Sequence, residues 1–110
     1  MLYFCADKTL SLWQENLPRL LDQNNKQAEV CHALSSVMKS INAWNSHKTL
    51  QECREACGGL GYSHYTGIGI LLSEDDVNST WEGDNHLLLQ QTGRFLLKSA
   101  QGIMQGKQAL

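Results

Sequence analysis

The feature that most constrains the fold of this chain is the stretch from Lys26 to Cys57, which contains neither proline nor glycine and has apolar residues at helical spacing. The apolar stripe advances in steps of four, three, four and three residues and consists of Val30, Leu34, Val37, Ile41 and Trp44. An isolated helix is marginal in water, so the stripe predicts packing against other helices. We therefore expect one long helix inside a helical bundle.

The N-terminal segment also has a helical pattern, which runs from Tyr3 to Gln23. It contains Pro18, the only proline of the chain. Because proline lacks a backbone donor and clashes with the preceding turn, the sequence predicts a kink or break near Leu17. Asn24 and Asn25 are then expected to form a turn.

The C-terminal half is predicted to contain an irregular region followed by a helix. Glycines at the start of the region 58–80 end the long helix, and Ser73–Asp76 is expected to open a short helix. A broad apolar stripe predicts a further helix over about Asp84–Met104, with Asp84 in its first turn. The fold class is therefore all-α, and we expect residues 1–110 to form a single helical domain.

Composition excludes several classes of protein. Hydrophobic residues make up 42% of the 110 residues, too many for a disordered segment. No apolar run reaches the length of a membrane span. The net charge of -2 and the lack of a basic patch argue against nucleic acid as a partner.

The four cysteines do not predict a disulfide framework, because the N-terminus does not resemble a secretory signal. Cys53 and Cys57 are one helical turn apart and are expected to be buried free thiols. A zinc site formed by these two cysteines with His32 and His64 would not match the ligand spacing of structural zinc sites. We predict no metal.

Glu82 is the candidate for acid–base chemistry. It stands between Trp81 and Gly83, just before the last predicted helix. A carboxylate beside an aromatic ring is poorly solvated and can act as a base, and a free N–H at a helix start can bind a developing oxyanion. A solvated helix cap is the alternative interpretation of the same residue.

Three motifs in order resemble the C-terminal part of the acyl-CoA oxidases, flavoproteins of the acyl-CoA dehydrogenase superfamily. They are CREACGGLGY at 53–62, TWEGDN at 80–85 and LLQQT at 88–92, preceded by HALSS at 32–36. The interval between Tyr62 and Glu82 is also that of the family. The match is best over 31–98, and the implied fold is part of the family's C-terminal helical bundle.

The resemblance implies a role for each matching residue. Glu82 would be the catalytic base that removes the α-proton of a fatty acyl-CoA, giving a trans-2-enoyl-CoA, with oxygen reduced to hydrogen peroxide. Gly58 and Gly59 would approach the FAD cofactor across a homodimer interface, and Asp84 and Asn85 would border it at a helix start. A peroxisomal location is also implied, although Gln108-Ala109-Leu110 is not a Ser-Lys-Leu signal.

Some positions depart from the family pattern. Leu60 replaces a common histidine, and Trp81 replaces a Tyr or Phe. Family members are several times longer and include a β-domain, so we expect this chain to be a piece of a larger enzyme and to be inactive alone. The alternatives are a dehydrogenase that uses an electron carrier and a non-catalytic helical interaction module.

Overall fold

The computed structural model describes residues 2–17 and 26–106, which are almost entirely helical and include no β-strand. The α-helices are α1 (Leu2–Asn16), α2 (Lys26–Ala56), α3 (Gly59–Tyr62), α4 (Ile68–Asp76) and α5 (Asn85–Met104). Two short 3-10 helices, His64–Thr66 and Val77–Ser79, lie between them. The all-α prediction is confirmed, and α2 and α5 end within one residue of their predicted bounds.

The break predicted in the N-terminal segment is present. Helix α1 ends at Asn16, and Leu17 has the tighter conformation of a 3-10 turn. A helix that stops just ahead of a proline is the expected result of the steric restriction on the preceding residue. Pro18 itself and the turn predicted at Asn24 and Asn25 lie outside the described residues.

The prediction of an irregular region up to Thr80 is wrong, because most of it is helical. Gly67, at a left-handed φ of 72°, starts α4, and the apolar residues after it form the first turns. The run Ser73–Asp76 therefore ends a helix, although it was expected to begin one. Acidic residues are unfavourable at a helix C-terminus. Here Ser46 Oγ donates to Asp75 Oδ1 at 2.8 Å and offsets part of that cost.

The buried face of α2 is not the stripe of large residues. Leu34, Ile41 and Trp44 are 37%, 43% and 38% exposed. The residues that are buried on this helix are small, and they are Cys31, Ala33, Ser36, Ser40 and Ala43. Helical periodicity located the helix correctly, but the face with the largest apolar residues was the wrong choice of core. Because these side chains are small, other segments can come close to the α2 backbone. The hydrogen bond from the Thr92 hydroxyl of α5 to the Ala33 carbonyl is an example.

The chain divides into two compact units, and the first comprises 1–38 and 86–110. Within it the buried Thr92 hydroxyl donates to the Ala33 carbonyl at 3.3 Å. His32 Nε2 and Gln91 Oε1 are 2.8 Å apart, and the exposed Lys98 ammonium is 2.7 Å from Glu29. The first half of α2 is thus joined to α5 by polar contacts between their side chains and backbone.

The second unit comprises 39–85 and contains every residue of the candidate site. Cys53 and Cys57 are free thiols as expected, but both are exposed, so the prediction of their burial is wrong. In the described parts of the chain, no helix combines the length and apolar character needed to cross a membrane.

Candidate functional site

The backbone at Glu82 has an unusual conformation. Its φ is 53°, and it is the single non-glycine residue with positive φ among those described. Gly83 follows at a φ of 103°. A left-handed conformation costs an L-residue about 1–2 kcal/mol, and such residues persist only where their surroundings hold them. The chain therefore turns sharply at Glu82 before it enters α5.

Two polar residues of α2 hold the segment that follows Glu82. The Lys39 ammonium donates to the Gly83 carbonyl at 2.6 Å and to Asn85 Oδ1 at 2.9 Å. The next residue, Ser40, is fully buried, and its hydroxyl donates to the Asn85 carbonyl at 3.1 Å. We call these three hydrogen bonds the downstream tether. They fix the start of α5 to the middle of α2.

A second chain of hydrogen bonds reaches the residue before Glu82, and we call it the upstream tether. Ser46 Oγ on α2 donates to Asp75 Oδ1 at 2.8 Å, and Asn78 Nδ2 donates to the same oxygen at 3.2 Å. Asn78 Oδ1 in turn accepts from the Trp81 indole Nε1 at 2.8 Å. The indole ring is therefore tied to α2 through two intervening side chains.

The Glu82 side chain itself is exposed, so the expectation that it is poorly solvated beside Trp81 is wrong for this chain. Within the described residues its carboxylate has no hydrogen-bond or ion-pair partner. Trp81 is 54% exposed. In contrast to the neighbouring backbone, which is fixed on both sides, the carboxylate is open to a group presented from outside. A carboxylate in this state can accept a proton.

Asn85 begins α5 and is almost completely buried, with 1% of its surface exposed. Its Oδ1 accepts from Lys39, but its Nδ2 has no hydrogen-bond partner. Buried polar atoms are rarely left unpaired. Asp84 immediately precedes the helix and is not in its first turn, which contains no acidic residue and so differs from the predicted placement.

Of the glycines of the GGLGY motif, Gly58 lies in the turn that ends α2, and Gly59 and Gly61 lie in the short helix α3. Gly58 has a left-handed φ of 59°, and its N–H donates to the Glu55 carbonyl at 2.9 Å. A Cβ added at Gly58 or Gly59 would meet no atom within 4 Å. Gly61 differs, because its Cβ would overlap the backbone carbonyl of Arg54. The first two glycines thus face open space, whereas the third is packed against α2.

The structure places the predicted site residues in one unit but in two groups. Gly58 lies in the turn after α2 and Gly59 begins α3, whereas Glu82 and Asp84 precede α5, which begins at Asn85. No hydrogen bond in the described structure joins Gly58 or Gly59 to Glu82. Among the described residues, no cluster of three or more His, Cys, Asp or Glu side chains could hold a metal ion.

Five residues of the two tethers were not predicted as site residues from the sequence, and they are Lys39, Ser40, Ser46, Asp75 and Asn78. A signal for one of them was present, since Lys39 is the only Asp, Glu, Lys or Arg between Glu29 and Lys48. An isolated charge in an otherwise uncharged stretch of a helix that packs against other elements is expected to have a partner. Nothing in the sequence marked Asp75 and Asn78, whose roles depend on an α4 that was not predicted.

The chain matches the family described as "Acyl-CoA oxidase, C-alpha1 domain" over residues 1–97. One similar protein is peroxisomal acyl-coenzyme A oxidase 3 of Homo sapiens, which is 47% identical over 79 residues. These cover 69% of this chain and 11% of the human protein. The family match includes the motifs at 53–62 and 80–85.

Two solved structures are similar. Acyl-CoA oxidase 1 of Yarrowia lipolytica has a TM-score of 0.81 and 36% identity, and the match covers 96% of this chain and 17% of that one. Acyl-CoA oxidase-1 of Caenorhabditis elegans, complexed with FAD and ATP, has a TM-score of 0.84 and 31% identity, covering 94% and 16%. The chain thus spans less than a fifth of the length of these relatives. By sequence and by structure, it belongs to the acyl-CoA oxidase family.

Proposed function

We propose that this chain is the part of a FAD-dependent acyl-CoA oxidase that carries the catalytic base. The reaction is the α,β-dehydrogenation of a fatty acyl-CoA to a trans-2-enoyl-CoA in fatty acid β-oxidation, with oxygen reduced to hydrogen peroxide. The observation that supports it best is Glu82, an open carboxylate on a left-handed backbone that is tethered on both sides. Strain held at a carboxylate is a feature of functional sites.

Glu82 takes the α-proton of the thioester in this proposal. A positioned carboxylate acting as a general base contributes about 10²–10⁴-fold to a rate. The N–H of Glu82 donates to the thioester carbonyl, which stabilises the negative charge that develops there as the proton leaves. The Trp81 ring, next to the base in sequence, is held by Asn78.

Two observations support the proposal that the glycines after α2 and the start of α5 can hold FAD. Gly58 and Gly59 present backbone to open space, so a flat ring system or a phosphate can approach closely. Asn85 has a buried amide donor without a partner at the start of a 20-residue helix, where anions and polar oxygens are favoured. Asp84 borders the same helix start. FAD, when bound, accepts a hydride from the β-carbon and passes electrons on to oxygen.

Assembly and location are proposed from the relatives. The similarity to peroxisomal acyl-coenzyme A oxidase 3 of Homo sapiens supports a peroxisomal enzyme. The proposed partners are the acyl-CoA substrate, oxygen and a second copy of the subunit, since the two FAD-binding groups are proposed to serve a cofactor shared in a homodimer. Residues 1–110 are proposed to form one helical domain of that enzyme. Neither nucleic acid nor a membrane is among the proposed partners.

The function is tested in a full-length acyl-CoA oxidase that carries this segment. Purified enzyme is given a saturated acyl-CoA in air, and enoyl-CoA and peroxide are measured together. An oxidase forms them in equal amounts. Enoyl-CoA without peroxide would identify a dehydrogenase that needs an electron carrier. The absence of both, with FAD bound, would favour a non-catalytic interaction module.

Replacing Gly59 by alanine should weaken FAD binding without lowering stability. The added Cβ meets nothing within this chain, and Gly59 does not have a positive φ, so folding loses nothing. A cofactor lying against the bare backbone would be displaced, and we expect roughly tenfold weaker binding, or about 1.4 kcal/mol. FAD titration of the apoenzyme measures this.

Gly69→Ala is the matched control, because Gly69 also has open space at its Cβ and also lies in a helix. It should leave FAD affinity unchanged. Equal affinities in the two alanine variants would contradict the proposed role of Gly59.

A further inference from the structure

We propose that Lys39 is the positioning residue that holds the Glu82 backbone in place for proton abstraction, an inference that rests on the proposed function. Lys39 does not touch Glu82. It binds the carbonyl of the very next residue, Gly83, and the side chain of Asn85, and so spans the turn that sets the direction of the Glu82 side chain.

Lys39 makes the two shortest hydrogen bonds of the downstream tether. Its two hydrogen bonds, at 2.6 and 2.9 Å, join a charged donor to neutral oxygens. Hydrogen bonds with a charged partner are shorter and stronger than neutral ones. The Ser40 bond to the Asn85 carbonyl is longer, at 3.1 Å, and acts on the helix start only. Of the three hydrogen bonds of the downstream tether, the one from Lys39 to Gly83 is the bond to a residue of the left-handed turn itself.

The left-handed turn needs such a contact. Glu82 and Gly83 both have positive φ, and a glycine can adopt many other conformations at similar energy. The upstream tether ends at the Trp81 ring and does not restrain Gly83. Without Lys39 the Gly83–Asp84 peptide, which contains the Gly83 carbonyl, would be free to rotate. The dihedral angles of Gly83 would then no longer be fixed, and the path of the backbone at Glu82, which sets the direction of its carboxylate, would change with them.

The test compares three variants of the full-length oxidase that carries this segment. In Lys39→Met both hydrogen bonds are lost but the aliphatic length remains. In Lys39→Arg the charge and the donors are kept in a different geometry. Lys48→Met is the matched control, since Lys48 is an exposed lysine on the same helix, 3.8 Å from Glu52. FAD content, kcat and KM are measured, and hydrogen–deuterium exchange is followed in the peptide 77–90.

Lys39→Met should keep FAD and a KM within about twofold, while kcat and the rate of anaerobic flavin bleaching fall by roughly 10²-fold, as expected for a misplaced catalytic group. Exchange in the peptide 77–90 should rise in the same variant. Lys39→Arg should recover most of the kcat and of the protection, and it supplies the comparison if the methionine variant does not fold. Lys48→Met should match the parent.

The inference would be overturned if hydrogen–deuterium exchange in the peptide 77–90 were the same in Lys39→Met as in the parent enzyme. It would also be overturned if Lys39→Met bleached its flavin at the rate of the parent. A rise in KM alone would also overturn it, because Lys39 would then act in substrate binding. If the parent enzyme itself does not reduce its flavin, the proposed function fails. The exchange data then decide separately whether Lys39 holds the turn.

Discussion

Replacing Glu82 by glutamine is expected to abolish reduction of the flavin by acyl-CoA in a full-length oxidase that carries this segment. Glutamine has the same size and the same backbone requirements, so the tethers remain, but its amide cannot accept the α-proton. Loss of a general base predicts a fall of about 10²–10⁴-fold in the rate of anaerobic bleaching. The measurement is stopped-flow absorbance of the bound flavin after mixing with substrate.

Glu74→Gln is the control for this substitution. Glu74 is an exposed carboxylate near the end of α4 and is not among the proposed site residues. It should bleach at the rate of the parent. Bleaching of Glu82→Gln at that same rate, with FAD and acyl-CoA bound, would remove Glu82 from the role of base and leave it as a solvated residue before a helix.

Replacing Gly61 by alanine is expected to give the largest loss of stability among single substitutions in the GGLGY motif. The new Cβ would overlap the Arg54 carbonyl oxygen, lie 2.9 Å from the Arg54 carbonyl carbon and lie 3.1 Å from the Cys57 Cβ. Two of these atoms belong to the α2 backbone and cannot rotate away. Overpacking of this kind costs about 1–3 kcal/mol. Thermal unfolding of the 110-residue chain measures the loss.

Gly93→Ala is the same substitution at a position where it should raise the stability of the chain. Gly93 lies inside α5, and its Cβ would meet nothing within 4 Å. Alanine is favoured over glycine within a helix by about 0.5–1 kcal/mol, so this variant should unfold at a higher temperature. If Gly61→Ala were as stable as Gly93→Ala, the close packing of α3 on α2 would be refuted.

Helical periodicity predicted the elements whose apolar spacing is long and regular. It located α2 and α5 within one residue at each end, and Pro18 marked the end of α1. It failed for α4, because a short apolar run after a glycine carries no clear period and the acidic residues after it are typical of a helix start. In the structure the acidic residues lie at the C-terminal end of α4. The Ser46 side chain of α2 binds Asp75 there.

The sequence motifs identified single residues of the candidate site but not the contacts between them. Glu82 stands out because it lies between Trp81 and Gly83 in the 80–85 motif, and Gly58 and Gly59 stand out because glycine leaves the backbone bare. The tethers could not be predicted, since they join residues far apart in the chain, such as Lys39 with Asn85. Their partners depend on which face of α2 is buried, and the large residues indicated the wrong face.

The small residues on the buried face of α2 determine which mutations the fold can tolerate. In most protein interiors the damaging change is truncation, because a large side chain leaves a void. Cys31, Ala33, Ser40 and Ala43 have little volume to lose, so the damaging direction is enlargement. Substitutions along this face are therefore tolerated only within a narrow range of side-chain volumes, whereas the exposed stripe with Leu34 and Ile41 is free of that constraint within this chain.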